Sequence, residues 1–177
     1  MRIDIARASD ASTVLTLVEE LLHELGSEGD EFAEIDRAKI EAALRAALPA
    51  PESTPEPTPG SDRDPDARAP GTMSLTALIA RADGGRPVGI LTLSPGFAIY
   101  AGGEYGVIDE MYVRPAWRGQ GVGRVLVEQA LGIARQRGWR RVDVTTPTDD
   151  HQNTAGRFYR GCGFEPTGEK LRLLLDR

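Results

Sequence analysis

Apolar positions along the chain follow two periods, and these sort it into strands and helices. Arg2 to Ala8 alternates, with Ile3 and Ile5 on one face of a short strand. Ser9 or Asp10 stands where a helix needs a cap, and Val14, Leu15, Leu17, Val18, Leu21, Leu22 and Leu25 form a broad helical stripe up to about Gly26. A second helical pattern over Asp30 to Leu48 carries Phe32, Ile35, Ile40, Leu44 and Leu48. Alternation returns over Met73 to Ala82, and Asp83-Gly84-Gly85 reads as a hairpin turn. Arg86 to Tyr100 reads as a strand or two, broken near Ser94-Pro95-Gly96. Ala101-Gly102-Gly103 then turns into a strand from Tyr105 to Val113, which should stop near Pro115 because proline cannot donate to a ladder. Val122, Leu126, Ala130 and Ile133 recur at helical spacing, widened by Val125 and Leu131, and Gly138 ends that helix. Arg140 to Thr145 alternates again, Thr154 to Arg160 fits a short helix, and Phe164 and Leu171 to Leu175 fit the last strands.

That order predicts an α/β fold with a mixed central sheet of about six to seven strands flanked by helices. A right-handed crossover through the long helix makes the strand Tyr105 to Val113 parallel to the strand Arg140 to Thr145. The chain reads as one domain over its 177 residues, interrupted at about 50–72 by a segment holding Pro51, Pro55, Pro57, Pro59, Pro65 and Pro70 among Ser, Thr, Asp and Glu. Such a segment buries too little apolar area to offset its ordering entropy, so it is expected to be a surface loop.

Charge refines this picture only mildly. The formal net charge of −6 argues against nucleic acid as a partner. Residues 1–110 hold 20 acidic and 9 basic residues, a balance of −11, and residues 111–177 hold 7 and 12, a balance of +5. A basic half for a polyphosphate and an acidic half for a cationic amine would look like this. The apolar runs are too short to span a membrane, and a cytoplasmic location is expected. One cysteine, Cys162, excludes a multi-cysteine zinc site, and His23 and His151 share no metal spacing.

The chemistry concentrates after Pro115. Arg118-Gly119-Gln120-Gly121-Val122-Gly123-Arg124 joins a strand to a helix. Glycines in alternation let backbone approach a ligand without Cβ atoms between. The first N–H groups of the helix and its dipole favour a phosphate or pyrophosphate there, and Arg118 and Arg124 add positive charge. A dinucleotide fingerprint fails, because Arg124 stands where a third glycine is needed, and no Walker Gly-Lys-Ser/Thr is present.

The stretch resembles the cofactor motif of the GNAT (Gcn5-related N-acetyltransferase) superfamily, Arg/Gln-x-x-Gly-x-Gly/Ala, through Arg118, Gly121 and Gly123. The preceding Val113-Arg114-Pro115 and the later Phe158-Tyr159 and Gly163-Phe164 fit the same family. The resemblance covers roughly Met73 to Leu175 and, more loosely, the first strand and helix. It implies a V-shaped split between the two parallel central strands, with acetyl-CoA as cosubstrate and no metal. The cofactor candidates it implies are Met111, Tyr112, Val113, Arg118, Gly119, Gln120, Gly121, Val122, Gly123, Arg124 and Tyr159. A bulge in the strand should let Met111 and Val113 offer backbone groups.

By the same resemblance Asp109 and Glu110 are candidate general bases, with Glu110 preferred, and Tyr159 is the candidate general acid. The family often places Asn seven residues before the tyrosine. Here that residue is Gln152, with Asn153 next to it, so either could contact the cofactor. Cys162 reads as a packed thiol rather than a nucleophile, and Trp117 and Trp139 as packing residues. The expected activity is transfer of acetyl to a primary amine on a small molecule or peptide, by direct attack in a ternary complex. The alternative is a catalytically silent CoA-binding or regulatory module with the same fold. A homodimer is a family-level expectation. Gly121→Val should block the phosphate while sparing the fold, provided φ at Gly121 is negative.

Overall fold

A computed structural model describes residues 1–26, 36–50, 75–146 and 154–168. The chain order is β1 (Arg2–Ile5), α1 (Ala11–Glu24), α2 (Arg37–Ala47), β2 (Thr76–Arg81), β3 (Pro87–Ala98), β4 (Gly103–Val113), α3 (Val122–Gln136), β5 (Val142–Val144) and α4 (Thr154–Gly161). The strands lie in sequence order in one sheet, β1-β2-β3-β4-β5. Every neighbouring pair is antiparallel except β4 and β5, which are parallel across the α3 crossover as expected.

Two expectations need correction. The described residues form five strands rather than six to seven. The expected strand Leu171 to Leu175 lies outside them, as do the Pro-rich insertion, Phe32 and Ile35. The expected break near Pro95 is also absent, since β3 runs unbroken from Pro87 to Ala98. The pairing explains this. β2 accompanies β3 only as far as Leu93, so the missing N–H of Pro95 falls on an edge where no partner waits for it.

The sheet separates two cores. On one face Leu78, Leu91, Leu93 and Ile108 pack against Val122, Leu126, Val127, Ala130 and Ala134 of α3, with Trp139 and Tyr159. On the other face Ala77, Ile79, Ile90 and Tyr112 pack against Val14 and Leu17 of α1 and against Leu48. Alternation along each strand supplies both sets.

Helix ends match their sequence signals at Gly138 but not at the start of α1 or of α2, which was expected from Asp30 and begins at Arg37. Asp36 caps α2, its Oδ1 accepting the Lys39 N–H at 3.1 Å. Gly138 ends α3 at φ +72°, and the Trp139 N–H closes the turn on the Ala134 carbonyl at 2.9 Å. The cap expected from Ser9 or Asp10 is not used in that form. A 3-10 turn over Ala8–Asp10 precedes α1, and the Asp10 carboxylate instead accepts the Arg7 N–H and an Arg81 N–H.

Candidate active site

β4 and β5 pair only over Gly106–Ile108, with Ile108 opposite Val144 as the last matched pair, while β4 continues to Val113. The edge of β4 beyond Ile108 is therefore not covered by β5. The backbone there faces the gap for a reason that can be worked out. The Arg114 N–H donates to the Val88 carbonyl at 3.0 Å. That bond makes Gly89 and Val113 a non-hydrogen-bonded antiparallel pair. The N–H and C=O of Val113, and of Met111 two residues earlier, thus point away from β3 and toward the uncovered edge. The Val113 carbonyl receives the Arg118 Nε–H at 2.8 Å, leaving its N–H and both Met111 groups aimed at that edge.

A bulge sits at the start of this stretch. Leu91 pairs with Met111 and Leu93 with Ile108, so Asp109 and Glu110 together oppose Thr92. Ile108 and Met111, three apart, both pack on the α3-side core, which a regular strand forbids and one extra residue permits. Glu110 turns the other way, toward the α1 side. Its N–H donates to Thr92 Oγ1 at 2.9 Å, and the Thr92 hydroxyl donates to the Glu110 carboxylate. Burial pushes the Glu110 carboxyl above its usual range. The Thr92 hydrogen bond works against that shift, and the charge of Asp109 adds to it. Asp109 itself is exposed.

Beyond β4, Pro115–Trp117 forms a 3-10 turn, and the chain enters α3 through Gly119 at φ +71° and Gly121 at φ +81°. The first intrahelical bond runs from the Val125 N–H to the Gly121 carbonyl, so the N–H groups of Val122, Gly123 and Arg124 have no carbonyl one turn behind them in α3. Gly121, the N-cap, brings no side chain to fill that role. Among the described residues, a Cβ built on Gly119 or Gly121 meets nothing within 4 Å, whereas one on Gly123 meets the Phe158 ring at 3.2 Å. The first two glycines leave open space before the helix N-terminus, and the third lets α3 pack closely on α4. The left-handed φ at Gly121 corrects the assumption that the fold would spare Gly121→Val.

α4 brings Tyr159 to the α3 side of β4. Its hydroxyl lies 3.7 Å from Met111 Sδ, and its ring stands edge-on to Phe158 and Phe164, with centroids at 5.2 and 5.4 Å. Burial, then the neighbouring Cys162, pushes the phenol well above its ordinary range, so it keeps its proton at working pH. Burial also raises the Cys162 thiol, Arg124 opposes that shift and Glu128 adds to it. The thiol packs against the α3-side core, as a protonated and poorly nucleophilic group.

Four of the cofactor candidates make contacts within the fold itself. Tyr112 lies on the α1 face in the second core, and its backbone alternates with that of Met111 and Val113, so it faces β3. Arg118 turns toward α1, donating to Glu24 at 2.6 Å and lying 5.7 Å over the Tyr112 ring. Gln120 donates its amide to the Ala116 carbonyl at 2.9 Å, which stiffens the turn. Arg124 is exposed and reaches the Gly161 carbonyl at 3.2 Å. Gln152 and Asn153 lie outside the described residues.

Sequence reasoning missed a ladder that ties α1 to the end of β4. Glu20 receives Arg114 Nε–H and Nη2–H at 2.9 and 2.6 Å, and one turn later Glu24 receives Arg118. The signal was legible as matched spacing, two acids four apart facing two arginines four apart.

The acetyltransferase (GNAT) family model matches residues 38–164. The chain belongs to the GNAT acetyltransferase family. Its similarity to the peptidyl-lysine N-acetyltransferase YjaB of Salmonella typhimurium is 33% identity over 90 residues, 51% of this chain and 50% of that protein. With the aminoglycoside N(6')-acetyltransferase type 1 of Stenotrophomonas maltophilia it shares 37% over 62 residues, 35% of this chain and 39% of that one. The chain thus spans half or less of these curated relatives. The ribosomal-protein-alanine N-acetyltransferase from Brucella melitensis biovar Abortus 2308 superposes with TM-score 0.66 at 18% identity, over 99% of this chain and 100% of that one. An aminoglycoside acetyltransferase from an uncultured soil metagenomic sample gives 0.69 at 16%, over 99% and 96%. These likenesses establish the GNAT fold.

Proposed function

We propose that the chain is an acyl-CoA-dependent N-acyltransferase that moves acetyl from acetyl-CoA to a primary amine by direct attack in a ternary complex. The observation that carries this reading is the edge of β4 left free by β5 together with the glycine turn that follows the Pro115–Trp117 turn and opens α3. Backbone groups of Met111 and Val113 suit the amide-bearing arm and thioester of the cosubstrate, and the N–H groups of Val122, Gly123 and Arg124 suit its pyrophosphate. A backbone N–H aimed at the thioester oxygen would stabilise the charge that develops there.

Acid and base flank that edge from opposite faces of β4. Glu110, on the α1 side, takes the proton of the incoming ammonium, directly or through water. The raised pKa that burial gives it brings it closer to that task. The amine nitrogen bonds to the acyl carbon and the carbon–sulfur bond breaks. Tyr159, on the α4 side, gives its proton to the departing thiolate and regains one, through water, from the second proton that the attacking nitrogen sheds as the amide forms. An amine entering on one face and a thiol leaving on the other need no acyl-enzyme, and the protonated Cys162 offers none.

The acceptors that the relatives' names carry, peptidyl lysine and aminoglycosides, share a cationic primary amine, and the acidic first half of this chain favours that class. The deciding experiment is titration calorimetry with acetyl-CoA followed by thiol release across aminoglycosides, polyamines, amino acids and lysine peptides. Micromolar binding with turnover of at least one amine is expected. Absence of acetyl-CoA binding would end the proposal, and binding with a blank panel would favour a silent binding module.

A further inference from the structure

The guanidinium of Arg118 stands at the corner where the free edge of β4 meets the glycine turn, and three contacts hold it there. Its Nε–H donates to the Val113 carbonyl at 2.8 Å, its Nη2–H donates to Glu24 at 2.6 Å, and it lies 5.7 Å from the centroid of the Tyr112 ring. Glu24 is the last residue of α1, and one turn back Glu20 holds Arg114. Val113 is the last residue of β4, and its carbonyl points to the edge that β5 leaves free. The N–H of the same peptide group, that of Arg114, is bound to the Val88 carbonyl at 3.0 Å. Arg118 and Val88 therefore satisfy both ends of the 113–114 peptide and fix its orientation.

Two physical consequences bear on the cosubstrate. Paired with Glu24, Arg118 forms a neutral unit, so it pulls only weakly on an anion beyond contact distance. Arg124, on the far side of the turn, makes no ion pair among the described residues and keeps its charge for that task. The second consequence concerns the carbonyl. Left uncapped, the Val113 oxygen would set a partial negative charge on the edge, next to the N–H groups of Val122, Gly123 and Arg124. With Arg118 on it, the edge ends on the Val113 N–H, a donor.

We propose that Arg118 is a positioning residue for the cosubstrate and not a phosphate ligand: latched by Glu24 of α1, it holds the Val113 peptide so that the free edge of β4 presents a donor to the acyl-bearing arm. This rests on acetyl-CoA as the cosubstrate. The latch also ties the helix that packs on the Glu110 side of β4 to the edge that would hold the thioester. It contributes little to the fold itself, since the Arg118 and Glu24 side chains are 45% and 44% exposed, and half-exposed ion pairs add little stability.

The test is calorimetric titration of the full chain with acetyl-CoA at about 50 and 300 mM salt, with melting curves of the same samples. Arg118→Met removes the cap and the charge and should weaken binding about tenfold. Arg118→Gln removes the charge but keeps an N–H for the Val113 carbonyl, and should return affinity to within about threefold of wild type. Glu24→Ala frees the guanidinium and removes a negative charge near an anion, yet should weaken binding about threefold. The salt dependence of each variant should match wild type, because no phosphate contact is lost, and melting should stay within about 2 °C. A Gln variant as weak as Met with a flatter salt dependence, or tighter binding in Glu24→Ala, would make Arg118 a phosphate ligand and overturn the proposal. A melting loss beyond about 2 °C in Arg118→Met would assign the residue to the fold and also overturn it. Wild-type binding that survives Arg118→Met ends this inference alone, whereas a wild type that binds no acetyl-CoA ends the acyltransferase reading and this inference with it.

Discussion

Substituting alanine at either end of α3 separates what the fold asks of a glycine from what a ligand asks of it. Gly121 enters the helix at φ +81° and Gly138 leaves it at φ +72°, and a Cβ on either meets no atom of the described residues within 4 Å. Neither substitution creates a clash, so both carry the same backbone penalty, about 1–2 kcal/mol for an L-residue held left-handed. For a chain of this size that lowers the melting temperature by roughly 2–8 °C in each case. Only Gly121 stands before the N–H groups of Val122, Gly123 and Arg124. A methyl there pushes a pyrophosphate off hydrogen bonds which, to a charged acceptor, are worth about 1.5–3 kcal/mol. Acetyl-CoA affinity should therefore fall about tenfold to a hundredfold in Gly121→Ala and stay within about twofold in Gly138→Ala. Gly121→Asn, which tolerates the left-handed region, should recover stability without recovering affinity. The assays are thermal melting and calorimetric titration of the same preparations. Equal affinities in the two alanine variants, with equal melting shifts, would show that the turn is only a connection.

Other expectations follow from the two faces of β4. Tyr159→Phe should lower kcat by about 10²–10⁴ while the Michaelis constants and folding hold, since the hydroxyl's one described partner is the weak acceptor Met111 Sδ; near-normal turnover with chemistry limiting would remove the phenol from the reaction. Glu110→Gln should cost activity that is partly recovered at high pH, where the amine is already free, and Asp109→Asn should leave the acidic limb of the pH–rate profile in place. Thr92→Val removes the hydrogen bond that holds the Glu110 carboxyl down, so that limb should move to higher pH; an unmoved limb would detach Glu110 from it. Stability gives a separate readout. A carboxyl whose folded pKa is raised stabilises below its unfolded value of about 4.3 and loses that contribution as pH rises through the folded value. Glu110→Gln should thus melt higher than wild type at pH 7 and alike near pH 4, and the reverse order would refute the burial argument.

Much of this was legible because it is local. Gly138 announces the left-handed end of α3, the α3 stripe repeats at helical spacing, and Pro115 marks the end of β4, whereas the left-handed φ at Gly121 was not read from the sequence. What could not be read depends on pairing between strands far apart in sequence. Whether Pro95 breaks β3 depends on where β2 stops, which no residue near Pro95 reports. Tyr112 and Met111 are both plausible ligand neighbours in a strand taken alone, and only the register with Ile90 and Leu91 sends one to each side. Arg118 was legible as positive charge beside a phosphate site. Its engagement with Glu24 and the Val113 carbonyl rests on the docking of α1.

The extra residue at Asp109–Glu110 bears most on function because it resolves a conflict built into any strand. A site that admits one substrate from each face of β4 needs an acid–base group on the α1 side and cofactor-facing groups on the α3 side, both within reach of one edge. Regular alternation permits this, but it would also set Ile108 and Met111 on opposite faces and withdraw one of them from the α3-side core. The bulge lets both stay in that core and still turns Glu110 toward Thr92. It also falls directly after the last matched pair of β4 with β5, so strand separation and the change of face occur at one point. The packing that holds Tyr159 over Met111 and the polar contact that holds Glu110 are therefore set by the same irregularity. A change in one should be felt by the other.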